Sequence, residues 1–393
     1  MELKRNRNET VAVAESDLDL AAVLKSVERA HGLPNAFYTD PEIWEEEKRK
    51  VFLANWACVG FGKDVPLPGD LMPLEFLGIP LLLARDKSGG VRVFQNVCRH
   101  RGMILVQKPK RANIITCPYH AWCYRLDGSL KGTPHLGGPG VHKDPRIDPK
   151  SYGLFEVRSH VWMDMIFVNL SGEAPDFLDY AAPLIARWRE FESRPLVHGG
   201  PESTLTFELD SNWKLAVENF CESYHLPVVH PSLNTYSRLE DHYHIQEPGH
   251  FSGQGTTVYN PQLDESGRAF ALFPGLSSKW ETGAEYIALY PNVLLGVHKD
   301  HTFAIRIDPL GQIGTRETVE IYYADPGMAG PDWADLRAAN AETWRGVFAE
   351  DVGVVEGMQE GRRAPAFDGG VFSPAMDGPT QCFHQWVAGC FRA

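Results

Sequence analysis

Apolar residues keep helical spacing in only a few stretches of this chain; elsewhere they come in short runs broken by turn residues. Between Asp17 and about His31 the positions Leu18, Leu20, Ala21, Leu24 and Val27 recur every three or four residues, and Gly32-Leu33-Pro34 supplies a stop. A second helix is expected over Pro41 to Phe52. From Trp56 to Leu170 the texture changes. Runs of Val, Ile, Leu and Phe alternate with Pro66-Leu67-Pro68-Gly69, Asp86-Lys87-Ser88-Gly89-Gly90 and Asp127-Gly128, the chemistry of strands and tight turns. One hairpin is expected from Leu81 to Ala84 and Val91 to Val97, another from Trp122 to Leu126 and Ser129 to Lys131. Gly132 to Pro149 holds four prolines and four glycines and reads as an ordered wrap or a polar linker.

After Ser171 the pattern is mixed. Asp176 to Glu192 has helical spacing, Thr204 to Leu209 alternates like a strand, and a helix is expected from about Trp213. Tyr286 to Leu295, Thr302 to Asp308 and Glu317 to Ala324 read as successive antiparallel strands, followed by a long helical tract from about Asp332 to Gln359. The fold class is therefore α+β, an all-β unit followed by an antiparallel sheet with long helices. The expected division is an N-terminal helical segment over 1–42, a β domain over 43–170 and a second domain over 171–393.

At 393 residues the chain suits two or three domains, and 43% hydrophobic with 23% charged residues is an ordinary globular composition. A net charge of −13 argues against nucleic acid or an anionic membrane surface as partner, and suits docking to a basic protein. Seven cysteines, Cys58, Cys98, Cys117, Cys123, Cys221, Cys382 and Cys390, are scattered along the chain, which is not a secreted disulfide framework. With no apolar signal region or membrane-length run, a cytoplasmic location is expected.

Two motifs carry chemistry. In Glu218-Asn219-Phe220-Cys221-Glu222-Ser223-Tyr224-His225, Glu222 and His225 are three apart and share a face if the helix continues. Pro227 then loosens or ends that helix, letting His230 swing back toward them. The result is a candidate two-histidine metal site, though paired histidines on a helix are often ordinary residues. The β domain contains Cys98-Arg99-His100 and, sixteen residues later, Cys117-Pro118-Tyr119-His120. Each arm offers one cysteine and one histidine. A Rieske [2Fe-2S] cluster needs two thiolates on one iron and two imidazoles on the other; a structural zinc site also takes two Cys and two His, but its common spacings pair like with like.

Cys98-Arg99-His100-Arg101-Gly102 and Cys117-Pro118-Tyr119-His120-Ala121-Trp122 resemble the cluster motif of Rieske non-haem iron oxygenase α subunits, and the resemblance extends over nearly the whole chain. It implies a Rieske domain joined to a catalytic helix-grip domain. Met103 and Tyr119 stand where respiratory Rieske proteins place disulfide cysteines, and Ala121 stands where the family commonly has glycine, a change expected to perturb the loop little. The resemblance further implies that His225, His230 and a downstream carboxylate bind a mononuclear Fe(II) in a facial triad that leaves room for dioxygen. Asp351 is the expected third ligand, with Glu350 and Glu356 as alternatives. Asn219 is placed near the iron, or is a buried structural amide. Glu222 is placed as the carboxylate joining His225 to His120 or His100 of a neighbouring subunit, most simply in a homotrimer. Cys221 and Cys123 read as packing residues.

The chain has no flavin or nicotinamide fingerprint, so electrons from NAD(P)H are expected through a separate flavin/iron-sulfur reductase or ferredoxin. Glutamate at position 222 resembles the choline, glycine betaine, carnitine and stachydrine oxygenase subgroup, which hydroxylates or demethylates quaternary ammonium compounds. Tyr236, Tyr243, Trp280, Tyr290, Phe303 and Trp386 are candidates to face such a cation, each with core packing as the alternative. An aromatic acid met by Arg306 or His242-Tyr243-His244 is the second substrate reading. A non-enzymatic electron carrier, for which His225 and His230 would have no task, is the third.

Overall fold

The computed structural model describes residues 20–192, 196–263 and 267–392. Two antiparallel sheets organise it. The first, seven-stranded, runs in the order Ala57–Phe61, Met165–Asn169, Glu156–Trp162, Val91–Gln95, Ile79–Arg85, Asp70–Phe76, Lys110–Arg111. Both expected hairpins form: Leu83 pairs Val93 across the Asp86 to Gly90 turn, and Tyr124 pairs Leu130 across Asp127-Gly128. The latter belongs to a three-stranded sheet with Ile115–Thr116. Leu82, Phe94, Ile115, Trp122 and Tyr124 are buried between these sheets. Leu136 and Ile147 pack on the same core, so the Gly132 to Pro149 stretch wraps the domain and is not a linker.

The second sheet has eight strands. Val197–His198, Thr315–Tyr323, His301–Pro309, Val293–Val297, Ala284–Leu289, Phe251–Thr256 and His242–Glu247 lie side by side, and Thr204–Leu209 also pairs Thr315–Tyr323. Tyr286 to Leu295, expected as one strand, is a hairpin. Pro291 has no N–H for a ladder, and Asn292 turns away to bond the first sheet. Its Oδ1 accepts from the Cys58 N–H and its Nδ2 donates to the Cys58 carbonyl, both at 2.9 Å.

Helices cover one face of this sheet. We label them α1 (Pro41–Glu47), α2 (Trp213–Cys221), α3 (Leu226–Val229), α4 (Ala334–Gly361) and α5 (Gly378–Arg392). Asp40 caps α1 and Asn212 caps α2 through side-chain oxygens that accept from Glu42 and Lys214 backbone N–H groups. α1 continues into wider π-type turns over Lys48–Leu53. Lys214 and Glu47, both fully buried, pair at 2.6 Å and lock α2 to α1; removing one partner of such a pair typically costs about 3–5 kcal/mol.

Two further sequence expectations fail locally. The stretch read as a helix up to His31 is a series of turns over its described part. Leu20 and Val23 are nonetheless buried, so their spacing serves docking; an isolated helix this short is marginal. Asp176 to Glu192 is broken into Phe177–Tyr180, Ala182–Arg187 and Arg189–Glu192. His242–Glu247, Phe251–Thr256 and α5 were not foreseen.

Candidate active site

α2 ends at Cys221, so the helix that was to place Glu222 and His225 on one face reaches neither of them, and Glu222 is extended, with φ −124° and ψ 161°. The two side chains meet all the same. The Glu222 carboxylate folds over the turn, accepts the Tyr224 and His225 backbone N–H groups, and takes His225 Nδ1 at 2.6 Å. Pro227 does not end a helix; it lies in the first turn of α3, where its missing N–H costs nothing. His230 is the residue that closes α3.

Opposite these loops α4 presents Glu350 and Asp351. Asp351 Oδ1 lies 3.1 Å from His230 Nε2 and 3.7 Å from His225 Nε2, and Asn219 Nδ2 donates to the same oxygen at 3.1 Å. One ligand atom each from His225, His230 and Asp351 falls within 4.8 Å of the others. This donor set fits Fe(II): two imidazole nitrogens turned toward a carboxylate, with both Nδ1 atoms occupied elsewhere. Glu350 Oε2 holds His230 Nδ1 at 2.8 Å. Burial pulls the His230 pKa down, but the bonds and charges of Asp351 and Glu350 outweigh it and leave the group raised. Glu317 faces the same region from the sheet; burial, reinforced by the charge of Asp351, pushes it up to about 8.

In the first domain the two arms fold alike. Gly102 N–H returns to the Cys98 carbonyl at 3.0 Å, and Ala121 N–H returns to the Cys117 carbonyl at 3.1 Å. Both closing residues are left-handed, Gly102 at φ 71° and Ala121 at φ 58°. The glycine common to the family at position 121 thus has a backbone reason, and Ala121 carries strain that was not expected of it. The His100 and His120 rings lie 4.7 Å apart, and desolvation followed by the neighbouring His120 lowers the His100 pKa. His120 Nδ1 is buried without a hydrogen-bond partner. An orphaned imidazole nitrogen beside two buried thiols fits a cluster iron. Tyr124 accepts the Arg99 N–H at 3.0 Å, so its own hydroxyl proton is free for Cys98 Sγ at 3.3 Å.

A pocket of about 520 Å3, counting its open mouth, adjoins His225, His230 and Asp351. Phe220, Tyr286, Phe303, Trp344 and Phe348 wall it, and no arginine or lysine is present among its described lining residues. Of the aromatic candidates read from sequence, only Phe303 lines it. Trp280 bonds Glu190, Tyr243 bonds Glu285, and Tyr290 and Trp386 pack together in the core. Tyr236 flanks the site against Tyr259. Arg306 is bound to Asp308 and the Val59 carbonyl. His242 does line the pocket, held by Gln254 and Ser237, and burial lowers its pKa. Glu356 caps the Asp210 N–H at 3.0 Å, away from the ligands. Trp344 and Tyr286 went unrecognised because only the packing of α4 on the sheet turns them toward one another.

An all-β unit with a two-cysteine, two-histidine tip, beside an α+β unit with a two-histidine, one-carboxylate set, defines a two-centre iron oxygenase. The model of the ring hydroxylating alpha subunit (catalytic domain) matches residues 185–393, and that of the Rieske [2Fe-2S] domain matches residues 55–145. The carnitine monooxygenase oxygenase subunit of Escherichia coli K12 is 28% identical over 87% of this chain and 87% of its own. The glycine betaine monooxygenase oxygenase subunit of Chromohalobacter salexigens is 26% identical over 94% and 87%. The crystal structure of the quaternary ammonium Rieske monooxygenase CntA with L-carnitine superposes with a TM-score of 0.71 at 23% identity, covering 92% of this chain and 95% of that one. Naphthalene 1,2-dioxygenase from Rhodococcus sp. gives 0.70 at 20% identity, over 92% and 93%. The chain belongs to the ring-hydroxylating α-subunit family. It is a Rieske-type oxygenase that carries a [2Fe-2S] cluster and a mononuclear iron and acts with O2 on a small molecule. Among the described residues no helix is long and apolar enough to cross a membrane.

Proposed function

We propose that this chain is the terminal oxygenase of a quaternary ammonium system, hydroxylating or N-demethylating a small betaine- or carnitine-like substrate. The observation that carries this reading is the charge of the pocket. Glu222, Glu350 and Asp351 surround the two histidines, so a divalent iron there leaves a net charge of about −1, in a pocket walled by aromatic faces and lacking a cationic side chain. An aromatic acid would bring its carboxylate into that field. Arg306, the cation read from sequence as its partner, is taken by Asp308 outside the pocket.

Cys98, Cys117, His100 and His120 would hold the cluster, and His225, His230 and Asp351 would hold the iron. Bound there, the two groups would supply electrons one at a time and a centre for O2 activation. Glu222 and Glu350 each accept an imidazole N–H, fixing both tautomers so that Nε2 is the free donor atom. Asn219 steadies the Asp351 carboxylate, and the aromatic wall keeps water from the bound substrate. Residues 43–170 form the cluster-bearing unit and 171–393 the catalytic unit; of the 1–42 segment, 20–42 pack against the latter, through Leu33 N–H on His384 and the Tyr38 carbonyl on Gln359, and 1–19 lie outside the described residues.

Glu222 is the bridge to a cluster histidine of a neighbouring copy in a head-to-tail trimer. Tyr224 and Val228 flank it at 57% and 84% exposure, and Tyr119, beside His120, is 56% exposed. Exposed apolar side chains thus lie next to each centre, where a shared interface would cover them. A separate NAD(P)H-dependent reductase or ferredoxin supplies the electrons, and the cytoplasm supplies both. Oxygen uptake with a matched reductase tests the function across betaines, carnitines, trimethylated amino acids and aromatic acids. Uptake coupled to formaldehyde or hydroxylated product from a quaternary ammonium compound is expected. Coupled turnover of an aromatic acid with no response to any betaine overturns the reading.

A further inference from the structure

Resting on that reading, one polar group on the aromatic wall specifies what the substrate carries at its other end. Tyr286, on the strand Ala284–Leu289, lines the pocket, and its hydroxyl lies 3.1 Å from His298 Nε2. His298 does not line that pocket. It lines a second cavity behind the wall, together with Tyr259, Asp300 and His301.

The hydrogen-bonding roles follow from the surroundings. His298 is 1% exposed, and burial, followed by the stacked His301 ring 4.3 Å away, holds its pKa well below the ordinary histidine value. The ring is neutral, with one donor and one acceptor nitrogen. Its Nδ1 has no hydrogen-bond partner among the described residues; the nearby His301 carbonyl already takes the His298 backbone N–H at 3.0 Å. A buried donor without an acceptor is rarer than an acceptor without a donor, so the ring proton sits on Nε2 and is given to the Tyr286 oxygen. The Tyr286 hydroxyl proton is then used by no hydrogen bond among the described residues, and the ring that carries it is part of the pocket wall. The neighbouring imidazole offers no such group: His301 Nε2 accepts the Trp344 indole N–H at 3.0 Å and its Nδ1 donates to Asp300 at 2.6 Å.

Other polar side chains of the pocket are engaged. Asn219 serves Asp351, and Ser237 and Gln254 serve His242. We propose that Tyr286, oriented by His298, is the specificity-determining donor that binds an acceptor oxygen on the substrate. Among the quaternary ammonium compounds already proposed, it selects, over those that lack a carboxylate, those whose short chain also carries one. Such a molecule brings its own counter-charge, and the carboxylates around the metal site turn its anionic end toward the hydroxyl.

Calorimetric binding to the resting, oxidised holoprotein needs no turnover. The probes are trimethylammonium carboxylates with one- to three-carbon spacers, each paired with the branched alkyl isostere in which the carboxylate is replaced by an isopropyl group. The parent is expected to bind a carboxylate at least about tenfold more tightly than its isostere, the size of one buried hydrogen bond to a charged group. Tyr286→Phe removes the preference without weakening the isostere. His298→Gln, which can still donate to the Tyr286 oxygen, keeps it, and His298→Leu loses it. An unchanged preference in Tyr286→Phe overturns the proposal, as does equal weakening of both probes, which marks a packing role. If the parent binds no trimethylammonium probe at all, the quaternary ammonium reading falls and takes this one with it; if it binds both members of each pair alike, only this one falls.

Discussion

Glu350 accepts His230 Nδ1 at 2.8 Å, while the next residue of the same helix turn, Asp351, faces Nε2 of the same ring at 3.1 Å. One side chain thus fixes the tautomer that the other needs. Removing a carboxylate behind a metal-binding histidine typically costs about 10- to 100-fold in metal affinity. Glu350→Ala is expected to lose mononuclear iron in that range, with cluster iron and sulfide retained. Iron and acid-labile sulfide after dialysis against a chelator check this; full retention of iron would show that Glu350 does not orient the ring.

Ala121 closes the second cluster arm in a left-handed conformation that Gly102 adopts freely in the first. Its ideal replacement is Ala121→Gly, which is expected to stabilise the β domain by roughly 1 kcal/mol. The measurement is the thermal loss of the cluster's visible absorption, which should shift to higher temperature. A shift downward would mean that the alanine methyl group is packed and worth more than the strain.

Glu317 gives a pH dependence with a definite sign. Its folded pKa, about 8, lies above the ordinary 4.5, so the native state holds a proton that the unfolded chain gives up. Stability is therefore lost as pH rises from about 4.5 through 8. Glu317→Gln in metal-depleted protein should gain on the parent by on the order of 2–3 kcal/mol between pH 5.5 and 8.5. Denaturant melts at those two pH values decide it, and parallel curves at both would contradict the assignment.

Phe303 supplies an aromatic face without any hydrogen bond to lose. A partly desolvated cation–π contact is worth about 1–2 kcal/mol, so Phe303→Leu should raise KM for a quaternary ammonium substrate roughly tenfold at nearly constant kcat. An equal fall in kcat with unchanged KM would place Phe303 in packing and not in substrate binding.

The cluster arms were legible in the sequence because their four side chains sit on two short local loops, where spacing nearly determines geometry. Glu222 and His225 were paired correctly for the wrong reason: the helix stops at Cys221, and the contact comes from a carboxylate folded over a turn. Asp351 lies far along the chain, and only the resemblance singled it out. Trp344, Tyr286 and the His298 pair were invisible, because which aromatic faces a pocket depends on strand register and on how α4 crosses the sheet. The Tyr290 to Asn292 turn shows the same limit: an apolar run hid a break that a cross-sheet bond to Cys58 makes useful.

Oxygenation of a quaternary ammonium compound is assigned to the site of His225, His230 and Asp351. A single turnover tests it most directly: chemically reduced protein, with no reductase, mixed with a trimethylammonium carboxylate and isotopically labelled dioxygen. Labelled oxygen is expected in the hydroxylated product, or, where a methyl group is lost, formaldehyde in step with cluster reoxidation, and no product from His225→Ala, which keeps its reduced cluster. Reoxidation of the parent cluster that yields only peroxide, or product formed equally by His225→Ala, would contradict it.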